Sequence, residues 1–220
     1  VTHRVVDLSH PIRAGLVTYP GMPGPEITDY LTREDAERSY GPGVTFHIGR
    51  VSMVANTGTY IDSPFHRYAD GADLAGLVLS QLADVPGVCV HIEPGSLRAV
   101  DVDDLERFDV EGRAVLIHTG WDRHWETPAY AVDGPFLTAA ATAWLVAHGA
   151  WVVGIDSVNI DDMGDSTRPA HSGLLAAGVP IVEHLCHLDE LPESGFRFHA
   201  APPPVEQFGT FTVRAYAIVD

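Results

Sequence analysis

The chain has 220 residues, 45% of them apolar, and no apolar run of the roughly 18 residues that a membrane helix needs. A soluble single domain over 1–220 is therefore expected. Its formal net charge of −17 tells against nucleic acid or a membrane surface as partner, since both select cationic proteins. All thirteen basic residues are arginine, and without lysine there is no Schiff-base chemistry, covalent pyridoxal phosphate or Walker-A loop.

Val1-Thr2-His3-Arg4 opens the chain without the apolar core of a secretory signal, and Cys89 and Cys186 are too few for a disulfide scaffold, so a cytoplasmic location is expected. Glycine and proline crowd 15–25 and 40–43, loops that can fold over a pocket or merely cross the surface. Across 44–53 apolar residues alternate and then change phase at Gly49-Arg50, which predicts a bulged strand delivering the chain to Asn56.

The run Asn56-Thr57-Gly58-Thr59-Tyr60-Ile61-Asp62-Ser63-Pro64-Phe65-His66 follows. Ser63 precedes a proline, and Pro64 suits the first position of a helix that Ser63 would cap. Asp62 then sits at the mouth of that helix, and His66, four residues on, projects toward the same side.

Further along, Asp73 is positioned to cap a helix using Leu74, Leu77, Val78 and Leu82, and Thr138 to cap another running through Trp144 and Leu145 to Gly149. The segments 88–92, 114–118 and 151–155 read as buried strands. A closing strand carries Phe211, Val213, Ala215, Ala217 and Val219 on one face. These elements predict an α/β domain with a mixed central sheet. The sequence contains neither G-x-G-x-x-G nor G-x-S-x-G, which sets aside the usual dinucleotide and serine-hydrolase signatures.

Asp62 can ligate a divalent ion, orient a water or cap a turn. His171 and Glu183, twelve apart, converge only through the fold, and each taken alone reads as structural. Asp156, Asp161, Asp162 and Asp165 form an acidic stretch that approaches a cation or fills a loop. His47, His118, His184 and His187 lie near these segments, and His47 is a candidate replacement ligand. Among twelve histidines, however, accidental proximity is common. Tyr19, Phe46, Tyr60, Phe65 and Trp121 suit either a flat ligand or core packing.

Taken together, the 56–66 run, Asp7-Leu8-Ser9-His10-Pro11-Ile12, Tyr19-Pro20-Gly21, Thr119-Gly120-Trp121, Gly154-Ile155-Asp156, His171-Ser172-Gly173 and Val182-Glu183-His184 resemble the cyclase family of metal-dependent hydrolases, the kynurenine formamidase and isatin hydrolase group. Its signature is H-x-G-T-H-x-D-x-P-x-H. Asn56 and Tyr60 stand in place of two of its histidines, and neither is a good zinc ligand.

The resemblance implies a layered β/β/α fold, a divalent zinc or manganese ion held by Asp62, His171 and Glu183, and His66 as proton shuttle. It further implies hydrolysis of an amide-type C–N bond in a formamide or lactam of a small aromatic metabolite, of the arylformamidase kind found in tryptophan catabolism. Asn56 and Tyr60 are then expected to donate hydrogen bonds to substrate or oxyanion, with Tyr19 and Phe65 beside them. A homo-oligomer, dimer or tetramer, is also expected. The competing readings are a metal-independent acid–base cyclase or dehydratase, and a small-molecule binder without turnover.

Overall fold

A computed structural model describes residues 3–93 and 98–219; Val1 and Thr2 of the opening stretch lie outside the described residues. In chain order its elements are β1 (Arg4–Asp7), β2 (Glu26–Leu31), α1 (Arg33–Tyr40), β3 (Ile48–Ser52), β4 (Tyr60–Asp62), β5 (Val85–His91), β6 (Ala99–Val100), α2 (Val102–Leu105) and β7 (Ala114–His118). Then come β8 (Phe136–Leu137), α3 (Ala139–Ala147), β9 (Val152–Ile155), α4 (Pro169–Ala176), β10 (Ile181–Glu183), β11 (Ser194–His199), β12 (Thr210–Thr212) and β13 (Tyr216–Val219).

Nine strands form one sheet in the order β1-β13-β11-β5-β7-β9-β10-β4-β12. The run β5-β7-β9-β10 is parallel and its flanks are antiparallel, which makes the sheet mixed, as expected. Strand alternation sorts the side chains onto two faces. In β7, Leu116 joins a cluster with Ile61, Val182 and Phe198. Val115 and Ile117 join a second cluster, to which α3 and α4 contribute Leu145, Leu174 and Leu175.

The first cluster draws on Val6 of β1 and Ile61 of β4, strands far apart in the sheet order, so the sheet curls around it. Residues 213–215 step from β12 at one end to β13 near the other. Along that step Val213 N bonds Thr59 O and Leu8 N bonds Ala215 O, each at 3.0 Å. The curl supplies two β layers and the helices a third.

Thr138 caps α3 as expected, accepting from Ala141 N at 3.0 Å. Three local expectations are corrected. The strand over 44–53 shortens to β3, which pairs only with β2 in a separate exposed hairpin; the register shift lies in the partner strand, between Asp29 and Leu31. Alternation there faces solvent rather than a core. No α-helix follows Asp73, because its carboxylate accepts from Gly76 N and Gln207 N and closes a turn instead. The closing strand is split into β12 and β13, since the alternation continues through the step between them. Among the described residues no helix is long and apolar enough to cross a membrane.

Candidate active site

Strand β4 lies between β10 and β12, and its register decides which side chains meet. Tyr60 pairs with Glu183 on β10, and Asp62 with Thr210 on β12. Directly opposed residues share a face, whereas the intervening Ile61 points into the core. Accordingly, Tyr60 donates its phenol to Glu183 Oε2 at 2.5 Å, and Thr210 donates its hydroxyl to Asp62 Oδ1.

Beyond Asp62 the predicted helix is a single 3-10 turn, Pro64–His66. Ser63 does not cap it; its hydroxyl donates to Gly209 O at 3.0 Å. The turn brings His66 back beside Asp62, with Nδ1 3.6 Å from Asp62 Oδ1 and 2.7 Å from Thr210 Oγ1.

His171 occupies the first turns of α4, where Asp161 satisfies the free backbone donors. One oxygen of Asp161 accepts from Ala170 N at 2.6 Å; the other accepts from His171 N at 3.1 Å and from His171 Nδ1 at 2.6 Å. With Nδ1 engaged, Nε2 faces Asp62 Oδ2 at 3.6 Å and Glu183 Oε1 at 3.8 Å. An imidazole steered by a carboxylate on its far nitrogen is the usual arrangement of a metal-binding histidine.

Asp62, Asp161 and Glu183 are buried, and buried carboxylates require compensating charge. Burial disfavours a charged His171, yet the hydrogen-bonded carboxylate of Asp161 and the nearby carboxylates of Asp62 and Glu183 hold its pKa up to about 10. Burial pushes the Glu183 carboxyl up. It also raises the phenols of Tyr60 and Tyr19, so both act as neutral donors and not as phenolate ligands. The cluster calls for positive charge, whether imidazolium or cation.

A divalent ion fits these residues. Among the described residues Asp62 Oδ2 is buried without a hydrogen-bond partner and faces His171 Nε2 at 3.6 Å, which in turn lies 3.8 Å from Glu183 Oε1. Asp62, His66 and His171 each offer a ligand atom, all within 4.8 Å of one another. The mixture of imidazole and carboxylate suits zinc or manganese.

A cavity of about 470 Å³ opens onto this cluster. Tyr19, Asn56 and Tyr60 line it as expected, together with His66, His171 and Glu183. Phe65 is not among its lining residues; its ring is half-buried and its amide bonds Ala72 O. Nor does Tyr60 aim at a ligand, because its hydroxyl is committed to Glu183. Asn159 and two arginines, Arg67 and Arg168, also line the cavity, and nothing in the sequence pattern singles them out.

Of the acidic stretch, only Asp161 reaches the cluster. Asp156 instead accepts the amides of Thr119 and Gly120, Asp162 lies 3.4 Å from Arg98, and Asp165 bonds Thr167. His47 is exposed on the hairpin, 2.7 Å from Asp29. His118 pairs with His91, His184 with Tyr130, and His187 with the Asp7 carbonyl.

A curled mixed sheet with an acid and imidazole cluster at one end of its strand order defines a recognisable class. The chain belongs to the Cyclase family, whose model matches residues 6–162. It is 27% identical over 211 residues to a kynurenine formamidase of Bacillus cytotoxicus, covering 96% of this chain and 95% of the relative. It is likewise 27% identical over 205 residues to that of Erythrobacter litoralis, covering 90% and 86%.

A solved structure described as a potential metal-dependent hydrolase with cyclase activity superposes with a TM-score of 0.81 at 25% identity, over 100% of this chain and 99% of that one. Isatin hydrolase A from Ralstonia solanacearum shares the fold, with a TM-score of 0.83 at 22% identity over 99% and 92% of the two chains.

Proposed function

We propose that this protein hydrolyses an amide-type C–N bond, a formamide or lactam, in a small aromatic metabolite, using one divalent ion. A single observation carries the reading. Asp62, His171 and Glu183 come from three separate elements, yet His171 Nε2 lies 3.6 Å from Asp62 Oδ2 and 3.8 Å from Glu183 Oε1, His66 Nδ1 lies 3.6 Å from Asp62 Oδ1, and His66, His171 and Glu183 line one cavity. The family and the kynurenine formamidase relatives support the reaction class.

Asp62, His171 and Glu183 would hold the ion. When bound, it would supply Lewis-acid polarisation of the carbonyl and acidify a water near neutral pH. His66 accepts a proton from the attacking water and returns it to the leaving nitrogen as the C–N bond breaks, yielding a carboxylate and an amine. Asn56 and Asn159 supply polar contacts for orienting the substrate, and Tyr19 supplies an aromatic wall.

The two arginines favour a substrate carrying an anionic group. Neither Arg67 nor Arg168 lies within 4 Å of a carboxylate among the described residues, although Arg4, Arg13, Arg98 and Arg107 all do. Two cations lining one cavity of so acidic a chain are suited to a carboxylate ligand; Arg168 also donates to Asp162 O at 3.4 Å and helps Thr167 to lower the Asp165 pKa.

Protein purified without chelators and assayed for bound metals, alongside hydrolysis of an aryl formamide and of isatin, tests the proposal. About one zinc or manganese per chain, with turnover abolished by chelator, is the expected outcome. Turnover surviving complete metal removal would favour the acid–base cyclase or dehydratase reading instead. His66→Ala is expected to lower turnover ~10²-fold or more at unchanged metal content.

A further inference from the structure

Thr210 connects the two functional parts of the cluster, and its bonding is directional. It lies on β12 directly opposite Asp62 and is itself buried. Its hydroxyl has one hydrogen to give. That hydrogen goes to Asp62 Oδ1, because an ionised carboxylate can only accept.

At 2.7 Å from His66 Nδ1, the Thr210 oxygen is then left to act as acceptor. In a neutral ring this contact is made with the hydrogen on Nδ1, which leaves Nε2 bare. This is the reverse of the tautomer that free histidine favours in water.

The backbone is built to permit the contact. Gly209 packs so tightly against the 3-10 turn that a Cβ there would lie 2.5 Å from His66 N and 2.6 Å from its Cα. Ser63 contributes both its amide and its hydroxyl to Gly209 O, at 2.7 Å and 3.0 Å, and so pins the two segments together. A glycine at 209 is what brings the Thr210 hydroxyl within reach of the ring.

We infer that Thr210 is a positioning residue: it fixes the His66 ring in the Nδ1–H tautomer, so that the bare Nε2 is the atom that takes the proton. It also divides the work of Asp62, engaging Oδ1 while Oδ2 stays free for a cation. The role in proton transfer rests on the hydrolase reading above; the tautomer does not.

The decisive measurement is the ¹⁵N spectrum of the His66 ring in the full chain, labelled at histidine and held in zinc, which is diamagnetic. The wild type is expected to show a protonated Nδ1 and a pyridine-like Nε2. Thr210→Val is nearly isosteric and retains packing on β12, but should move the ring toward the Nε2–H form. Thr210→Ser should restore the wild-type pattern.

Gly209→Ala, which pushes the hydroxyl away without removing it, should reproduce the Thr210→Val spectrum. In turnover, Thr210→Val should lower kcat ~10-fold or more, with KM nearly unchanged. An Nε2–H ring in the wild type, or an Nδ1–H ring that persists in Thr210→Val, would overturn the inference. Should His66→Ala keep full activity, the hydrolase reading would fail while the tautomer result stood.

Discussion

Tyr60 and Glu183 face each other across the β4–β10 ladder with their side-chain oxygens 2.5 Å apart. Tyr60 occupies a signature histidine position, but its buried phenol keeps its proton and donates. It holds Glu183 Oε2, while Ile160 N holds Oε1 at 2.7 Å, so the carboxylate is fixed with Oε1 toward His171. Where the family signature has a histidine, this chain has a phenol that donates to a buried carboxylate.

Tyr60→Phe removes that support and leaves a buried carboxylate oxygen short of a donor. Loss of such a partner weakens metal binding about 10- to 100-fold. Zinc competition against a chromophoric chelator should show a fall in this range. An unchanged affinity would mean that Glu183 is held by other contacts. Conversely, Asn56→His combined with Tyr60→His restores both signature histidines, and zinc competition should then show a higher affinity than in the parent.

Much of this site was legible in the sequence. Asp62, His66, His171 and Glu183 could be named as candidates because the motif spacing and the late His and Glu strings resemble the family's even where two signature positions differ, and the fold brings the four together; their roles are those proposed above. Thr210 and Asp161 were harder to recognise, since their roles come from strand register and a helix N-terminus, neither of which leaves a local pattern. Phe65 was misplaced because a single 3-10 turn, unlike a continuing helix, does not carry its ring to the cavity. The same limit explains the split of the closing strand: alternation records which face is buried, but not that the chain has stepped from one end of a curled sheet to the other.

The two cavity arginines predict specificity by charge. Formanilide and N-formylanthranilate are aryl formamides that differ in one carboxylate. The anionic compound should be hydrolysed with the higher kcat/KM, by ~10-fold or more, as expected when a charged hydrogen bond forms. Arg67→Gln combined with Arg168→Gln should remove that preference chiefly through KM while leaving formanilide nearly unaffected. A preference that survives both changes would assign the discrimination to other groups.

Part of the acid sensitivity should trace to His10, alongside the fully buried His184, whose pKa burial lowers further, to about 3. His10 stacks flat on Trp125 at 4.0 Å, and its Nε2 has no hydrogen-bond partner among the described residues. Burial, with a smaller contribution from His187, lowers its pKa to about 4. The unfolded ring binds its proton near 6.5. Between those values the unfolded state holds more protons, so this contribution is fully present above about pH 6.5 and is lost as the pH falls toward 4. His10→Phe keeps the stacking but cannot titrate. From pH 6.5 to 5 the wild type should lose about 2 kcal/mol relative to the variant, read from urea denaturation at each pH. A constant difference would show that the ring is free to take up a proton in the folded state.

The β2–β3 hairpin predicts the expected homo-oligomer. Its strands pair only with each other, and a lone two-stranded sheet is marginal in water. Ile27 and Val51 are direct partners in its register, at 46% and 54% exposure, with Ile48 and Phe46 exposed nearby. Packing against a second copy of the chain would cover this apolar face and stabilise the hairpin together. Sedimentation should therefore give a mass of at least two chains. Ile27→Asp combined with Val51→Asp places like charges opposite each other on that face, and the particle should dissociate to the 23.7 kDa chain with its far-ultraviolet spectrum otherwise preserved. If the double variant keeps the parent mass, the hairpin is not the interface; if the parent is already monomeric, the hairpin is stable without a partner.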